Sequence, residues 1–161
     1  MTRREKLILA FVLFAVVIRL IPHPPNFTPI IAIALFSATT FRNKWLGISV
    51  PLLAMGLSDL YLGLYSISIW VYSSIFLISL LGTYWKKIEV TNVFISSLIF
   101  FIITNFGVWL SGYPRTVDGF MLCYTMALPF LLNSICGTFF FSYLLKYSFN
   151  YSESKLKIIK N

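Results

Sequence analysis

Apolar residues fill this chain in six blocks, at about 7–21, 29–41, 45–58, 65–83, 92–110 and 120–145, and polar residues collect in the short intervals between them. Within each block the apolar positions run round every face of a helix instead of marking one stripe. That pattern belongs to a helix surrounded by lipid or by protein, not one half-exposed to water. A full hydrocarbon crossing takes about 20 residues. The first block and the last three approach that length. The second and third are short and separated only by Arg42, Asn43 and Lys44, so they should be thin, tilted or shielded by protein, with one re-entrant hairpin as the alternative. The pattern predicts an all-α integral membrane protein of six transmembrane helices. It forms a single transmembrane domain over 1–161, whose residues 146–161 make a basic cytoplasmic tail.

The pattern is interrupted most sharply from Arg19 to Pro29. Four prolines in eight residues, Pro22, Pro24, Pro25 and Pro29, cannot continue a helix, because each fixes its own φ and lacks an N–H. This stretch should cross stiffly between two helices. A second interruption is Pro129, inside the last block, which frees a carbonyl near Thr125 and kinks the helix. Asn133 and Gly137 follow as a small polar stripe, suited to helix contact or to the floor of a cavity. The stripe Gly47, Pro51, Ala54 and Ser58, and the pair Ala34 and Ala38, should be packing surfaces.

Composition reinforces the membrane reading. The chain is 58% hydrophobic and 11% charged, against roughly 25% charged in a soluble domain. A net charge of +8 could suggest nucleic acid, but the positions of the charges exclude it. With the N-terminus in the cytoplasm and the blocks alternating, eleven of the thirteen basic residues fall on the cytoplasmic side. These are Arg3, Arg4 and Lys6; Arg42 and Lys44; Lys86 and Lys87; and Lys146, Lys155, Lys157 and Lys160. Only Arg19 and Arg115 lie outside, as the positive-inside rule describes. The expected location is a bacterial inner membrane, multi-pass, with both termini cytoplasmic. No small-x-small cleavage site follows the first block, so it is expected to stay in place. Cys123 and Cys136 are 13 residues apart on one expected helix, about 20 Å along its axis, and cannot bond to each other.

Common catalytic motifs are absent, and one histidine with two distant cysteines makes an intramembrane enzyme a poor fit. No catalytic residue, cofactor or metal is expected. The topology instead gathers polar groups at the outer face: Arg19, His23 and Asn26 in the first outer loop; Asp59 in the second; Tyr113 and Arg115 in the third. Asn105 and Trp109, one turn apart, and Tyr124 belong to the helices beside them. Each has a structural alternative. Trp109, Tyr113 and Tyr124 would suit an interfacial aromatic belt, and Arg115 with Asp118 a solvated pair. Arg19 and Asp59, on neighbouring helix ends, could neutralise one another or hold a ligand.

These runs resemble a bacterial family of transport membrane proteins of unknown function (DUF6580-like). The resemblance lies in Arg19 to Pro29; Ser58-Asp59 with Gly63; Thr104 to Trp109 with Gly112 to Thr116; and Pro129 to Asn133 with Gly137-Thr138. That family in turn is similar to the S components of energy-coupling-factor (ECF) vitamin transporters in size, span number and topology. The resemblance implies an S-component-like bundle that binds a vitamin or similar micronutrient at its outer face. It also implies docking onto a shared transmembrane coupling subunit with ATPases. An Ala-x-x-x-Ala docking motif is missing from the first helix, where Ala10 and Ala15 are five apart, while Ala34 and Ala38 have the spacing on the second.

The expected function is therefore a substrate-binding membrane subunit for micronutrient uptake. Arg19 and Arg115 would meet an anionic or carbonyl group; Asp59, Asn26 and Asn105 would hydrogen-bond; Trp109, Tyr113 and Tyr124 would stack on a flat ring. His23 would contribute from the loop. The alternative is a structural scaffold of the cell-shape type, whose polar face binds a protein partner.

Overall fold

The computed structural model describes residues 3–85 and 87–158. Lys86 and Lys160, both counted among the basic residues above, lie outside them. The described residues form seven α-helices: α1 (Arg3–Arg19), α2 (Ile30–Thr40), α3 (Lys44–Leu62), α4 (Ser68–Gly82), α5 (Val90–Gly112), α6 (Val117–Met126) and α7 (Leu128–Ile158). Their boundaries follow local chemistry. Asn43 caps α3 by accepting a hydrogen bond from the Trp45 amide at 2.9 Å, and Thr116 caps α6 through the Gly119 amide at 3.1 Å. Gly63 ends α3 at φ 85°, a backbone conformation that disfavours any side chain.

Six blocks become seven helices because the last one divides. Pro129 cannot donate a hydrogen bond to Thr125, and the chain breaks at Ala127 between α6 and α7. Cys123 and Cys136 therefore sit on different helices, the first buried and the second exposed. Residues 146–158, expected as a tail, continue α7.

The short second block is the centre of the molecule. In α2 every residue from Ile30 to Ala38 is buried, and the helix packs against α1, α3, α4, α5 and α7. Eleven residues span about 16 Å, too little for a bilayer. A helix apolar on all faces can equally be enclosed by protein, and that is how α2 is satisfied. Small residues let its neighbours come close. A Cβ on Gly47 would stand 3.1 Å from Ala38 Cα, and one on Gly82 would stand 2.7 Å from Ala38 Cβ. The expected packing roles of Ala34, Ala38, Gly47 and Ser58 are all met by burial in this core.

By length and composition three helices can cross a membrane: α3, α5 and the stretch Leu128–Lys155 of α7. The expectation of six spanning helices is not met at that standard. The helices α2 and α4 are apolar but shorter, and α1 has 17 residues.

Candidate functional site

The helices leave two ends of different character. One gathers the Arg19–Pro29 loop, the C-terminal ends of α3 and α5, the start of α4, and α6; we call it the loop end. The other holds the start of α1 and the far end of α7, where Arg4 Nε bonds to Glu153 Oε1 at 3.0 Å.

At the loop end Arg19 and Asp59 do meet. Arg19 Nη2 donates to Asp59 Oδ1 at 2.8 Å, and Nη1 donates to Ser58 Oγ and to the Met55 carbonyl. The second carboxylate oxygen accepts the Tyr72 hydroxyl at 2.9 Å. The side chains of Arg19 and Asp59 are 15% and 7% exposed. The cluster ties α1, α3 and α4 together and leaves the Asp59 carboxylate with a donor on each oxygen. Arg19 thereby takes up the pairing that was one of its two expected roles and holds helices together.

The Arg19–Pro29 loop is folded down onto α7. Asn133 Nδ2 donates to the Pro25 carbonyl at 3.0 Å. Gly137 lies under the loop backbone, where a Cβ would come within 3.1 Å of Phe27 Cα. The Phe27 ring rests against Phe140 and Phe141, with centroids 6.3 and 5.6 Å away. Asn26 takes φ 62°, the left-handed conformation that Asn tolerates better than most residues. Asn133 and Gly137 are thus a dock for a loop, where contact with a helix or the floor of a cavity was expected.

Between this loop and α4, α5 and α6 lies a cavity of about 280 Å³. Asn26, Asn105 and Tyr113 line it together with Thr104, Cys123 and Phe130. Asn105, 8% exposed, spends its amide N–H on the Phe101 carbonyl at 2.8 Å. Its side-chain oxygen has no donor among the described residues and is free to accept one from a guest. Thr104 bonds back to the Phe100 carbonyl, and most of the remaining wall is apolar. Among the described residues no charged side chain lines the cavity.

The other expected residues stand elsewhere. Trp109 packs on Phe106 and Phe120, and Tyr124 on Phe120 and Phe101, with centroids 4.5–5.6 Å apart. The Trp109 indole N–H reaches the Pro114 carbonyl at 3.1 Å, and the Tyr124 hydroxyl the Ile102 carbonyl at 2.8 Å. These rings clamp α6 to α5 rather than facing the cavity. His23 is exposed on the loop, its Nδ1 3.0 Å from the Pro24 carbonyl, and Arg115 is exposed beyond α5. Among the described residues no three His, Cys, Asp or Glu side chains group to hold a metal ion.

A family model described as a family of unknown function, DUF6580, matches residues 1–159. The chain belongs to the DUF6580 family. No curated protein and no solved structure matches it, so the similarity to S components, drawn from size, span number and topology, gains no support from these comparisons. In this DUF6580 chain, sequence reasoning missed Tyr72, Thr104 and Cys123. Tyr72 stands in an apolar run where a tyrosine signals only an interface. Thr104 adjoins Asn105, and the polar Thr104-Asn105 pair was a usable signal. Cys123 was weighed above as a disulfide partner; it is buried and lines the cavity.

Proposed function

We propose that this chain is a membrane protein that binds a small, uncharged molecule in the loop-end cavity and serves its uptake, a vitamin or similar micronutrient being the substrate class. One observation carries the reading. Three of the outer-face residues expected to bind, Asn26 of the proline loop with Asn105 of α5 and Tyr113 at its C-terminal end, converge on one largely apolar cavity. Mostly apolar walls with a few placed polar groups are what small-molecule sites have in common. Because the charged residues lie outside the cavity, the guest is an apolar body, such as a ring, with a hydrogen-bond donor for Asn105. The role is binding rather than catalysis.

Charge asymmetry supports a bacterial inner membrane with both termini cytoplasmic and the cavity opening outward. Six crossings would then require the shorter α1, α2 and α4 to reach across with help from their protein neighbours. Uptake would need an energising partner, such as a shared coupling subunit with ATPases, since the sequence holds no nucleotide motif. Such a partner could not dock on Ala34 and Ala38, which are buried inside the bundle. The outward residues Leu13, Phe14 and Val17 of α1 offer a surface instead.

The test is mass spectrometry of small molecules that copurify with the full chain, followed by calorimetry with the identified compound. Asn105→Leu should weaken binding at least about ten-fold, since it removes a buried hydrogen bond to the guest. Arg115→Ala should leave affinity unchanged. Equal affinity of wild type and Asn105→Leu would remove the cavity from consideration. A preparation free of small molecules but carrying a stoichiometric protein partner would favour the scaffold role.

A further inference from the structure

The end of the bundle opposite the loop carries a second cavity, of about 200 Å³, lined by Arg4, Thr39, Lys87, Lys146, Asn150 and Glu153 among others. Three cations face one acid there. Glu89 pairs with Lys87 at 2.9 Å, but in the open, with 72% and 49% of the two side chains exposed. Arg4 is held rigidly: Nε on Glu153, Nη1 on the Thr40 carbonyl at 2.7 Å, and the guanidinium 5.5 Å from the Phe149 ring. No acceptor among the described residues occupies its Nη2. Lys146 gives one hydrogen bond, to the Ile88 carbonyl at 3.1 Å, and an ammonium group has three to give. Fixed donors with spare hydrogens and a net positive balance suit a phosphate group.

An apolar groove adjoins this cleft. Lys146 Nζ lies 5.1 Å from the Tyr143 ring and 5.8 Å from the Tyr147 ring. Those two rings, with Phe139, Phe140 and Leu144, line an open groove of about 350 Å³ along α7. One lysine therefore joins a cationic cleft to an apolar furrow on the outside of a helix long and apolar enough to cross a membrane.

We propose that this is a binding site for an anionic phospholipid, its phosphate between Arg4, Lys87 and Lys146 and an acyl chain along Tyr143, Leu144 and Tyr147. A free phosphate compound would satisfy the cleft but leave the furrow empty, and the adjacency of the two favours lipid. Basic pockets between helices at the cytoplasmic surface recognise headgroups on this electrostatic principle. The site does not depend on the loop-end cavity.

Native mass spectrometry of the full chain in detergent, titrated with phosphatidylglycerol, phosphatidylcholine or glycerol 3-phosphate, tests it. Phosphatidylglycerol should bind at least about ten-fold tighter than phosphatidylcholine, and millimolar glycerol 3-phosphate should not displace it. Lys146→Gln and Lys87→Gln should each weaken phosphatidylglycerol about five-fold, the share of one basic residue near a charged lipid surface. Lys87 is exposed, so its replacement reports even if Lys146→Gln fails to fold. Leu144→Ser should weaken the lipid and leave the weak retention of glycerol 3-phosphate unaltered. Equal binding of the two lipids, unchanged affinity in Lys87→Gln, or displacement by glycerol 3-phosphate would overturn the assignment.

Discussion

Arg19 and Asp59 show how one contact changes the meaning of a residue. An arginine at an outer helix end reads equally as ligand anchor or as half of a pair. Its 2.8 Å bond to Asp59 and the Tyr72 hydroxyl on the other oxygen show the pair formed. Removing one member strands the other, a loss of about 3–5 kcal/mol for a buried pair, while replacing both with apolar residues can be close to neutral. Arg19→Met and Asp59→Leu should therefore each lower thermal stability in detergent sharply, and the double variant should recover most of the loss. An additive double variant would mean that the two side chains act independently. The sequence placed both residues at neighbouring ends and raised the pairing. It could not reveal Tyr72, whose role depends on how α4 is rotated about its axis. Along α5, Asn105 lines the cavity while Trp109, one turn nearer the helix end, meets Phe120 of α6.

At the level of elements, close approach depends on residues without side chains. A Cβ on Gly82 would stand 2.7 Å from Ala38 Cβ, so Gly82→Val forces α4 away from α2. Overpacking of this kind costs about 1–3 kcal/mol, to be read as a lower melting temperature. Gly137→Val acts on a different joint. It should lift the proline loop from α7, so that proteinase K cuts between Pro22 and Phe27 faster than in wild type, with the helices still intact by circular dichroism. Resistance equal to wild type would show that Asn133 and Phe27 suffice to hold the loop. Much of this was legible: the small-residue stripes and the Pro129 interruption were visible as patterns. The count of helices was not, since a proline that bends a helix and one that divides it look the same in sequence. The burial of α2 was also hidden, because an apolar run carries no mark of whether lipid or protein surrounds it.

Over the whole molecule, most of the described basic side chains lie at the end away from the candidate cavity, Arg19 and Arg115 being the two at the loop end. Orientation can be checked with an impermeant maleimide in a background lacking Cys123 and Cys136. Arg115→Cys should label in intact cells, and Arg42→Cys only after the membrane is opened. The reverse pattern would invert the topology. Charge segregation was readable at this scale because it depends on loop order alone; the cavity was not, because it needs the proline loop to meet α4, α5 and α6. The position of α2 also bears on how the chain is made. The helix at the centre leaves the ribosome well before α7, which covers one of its sides. Until α7 arrives, an 11-residue segment too short to span has an uncovered flank, and its native contacts wait for some hundred residues of further synthesis. Nascent chains that stop before α7 should therefore be recognised by membrane proteases as incomplete, and the full-length chain should mature in one late step rather than helix by helix.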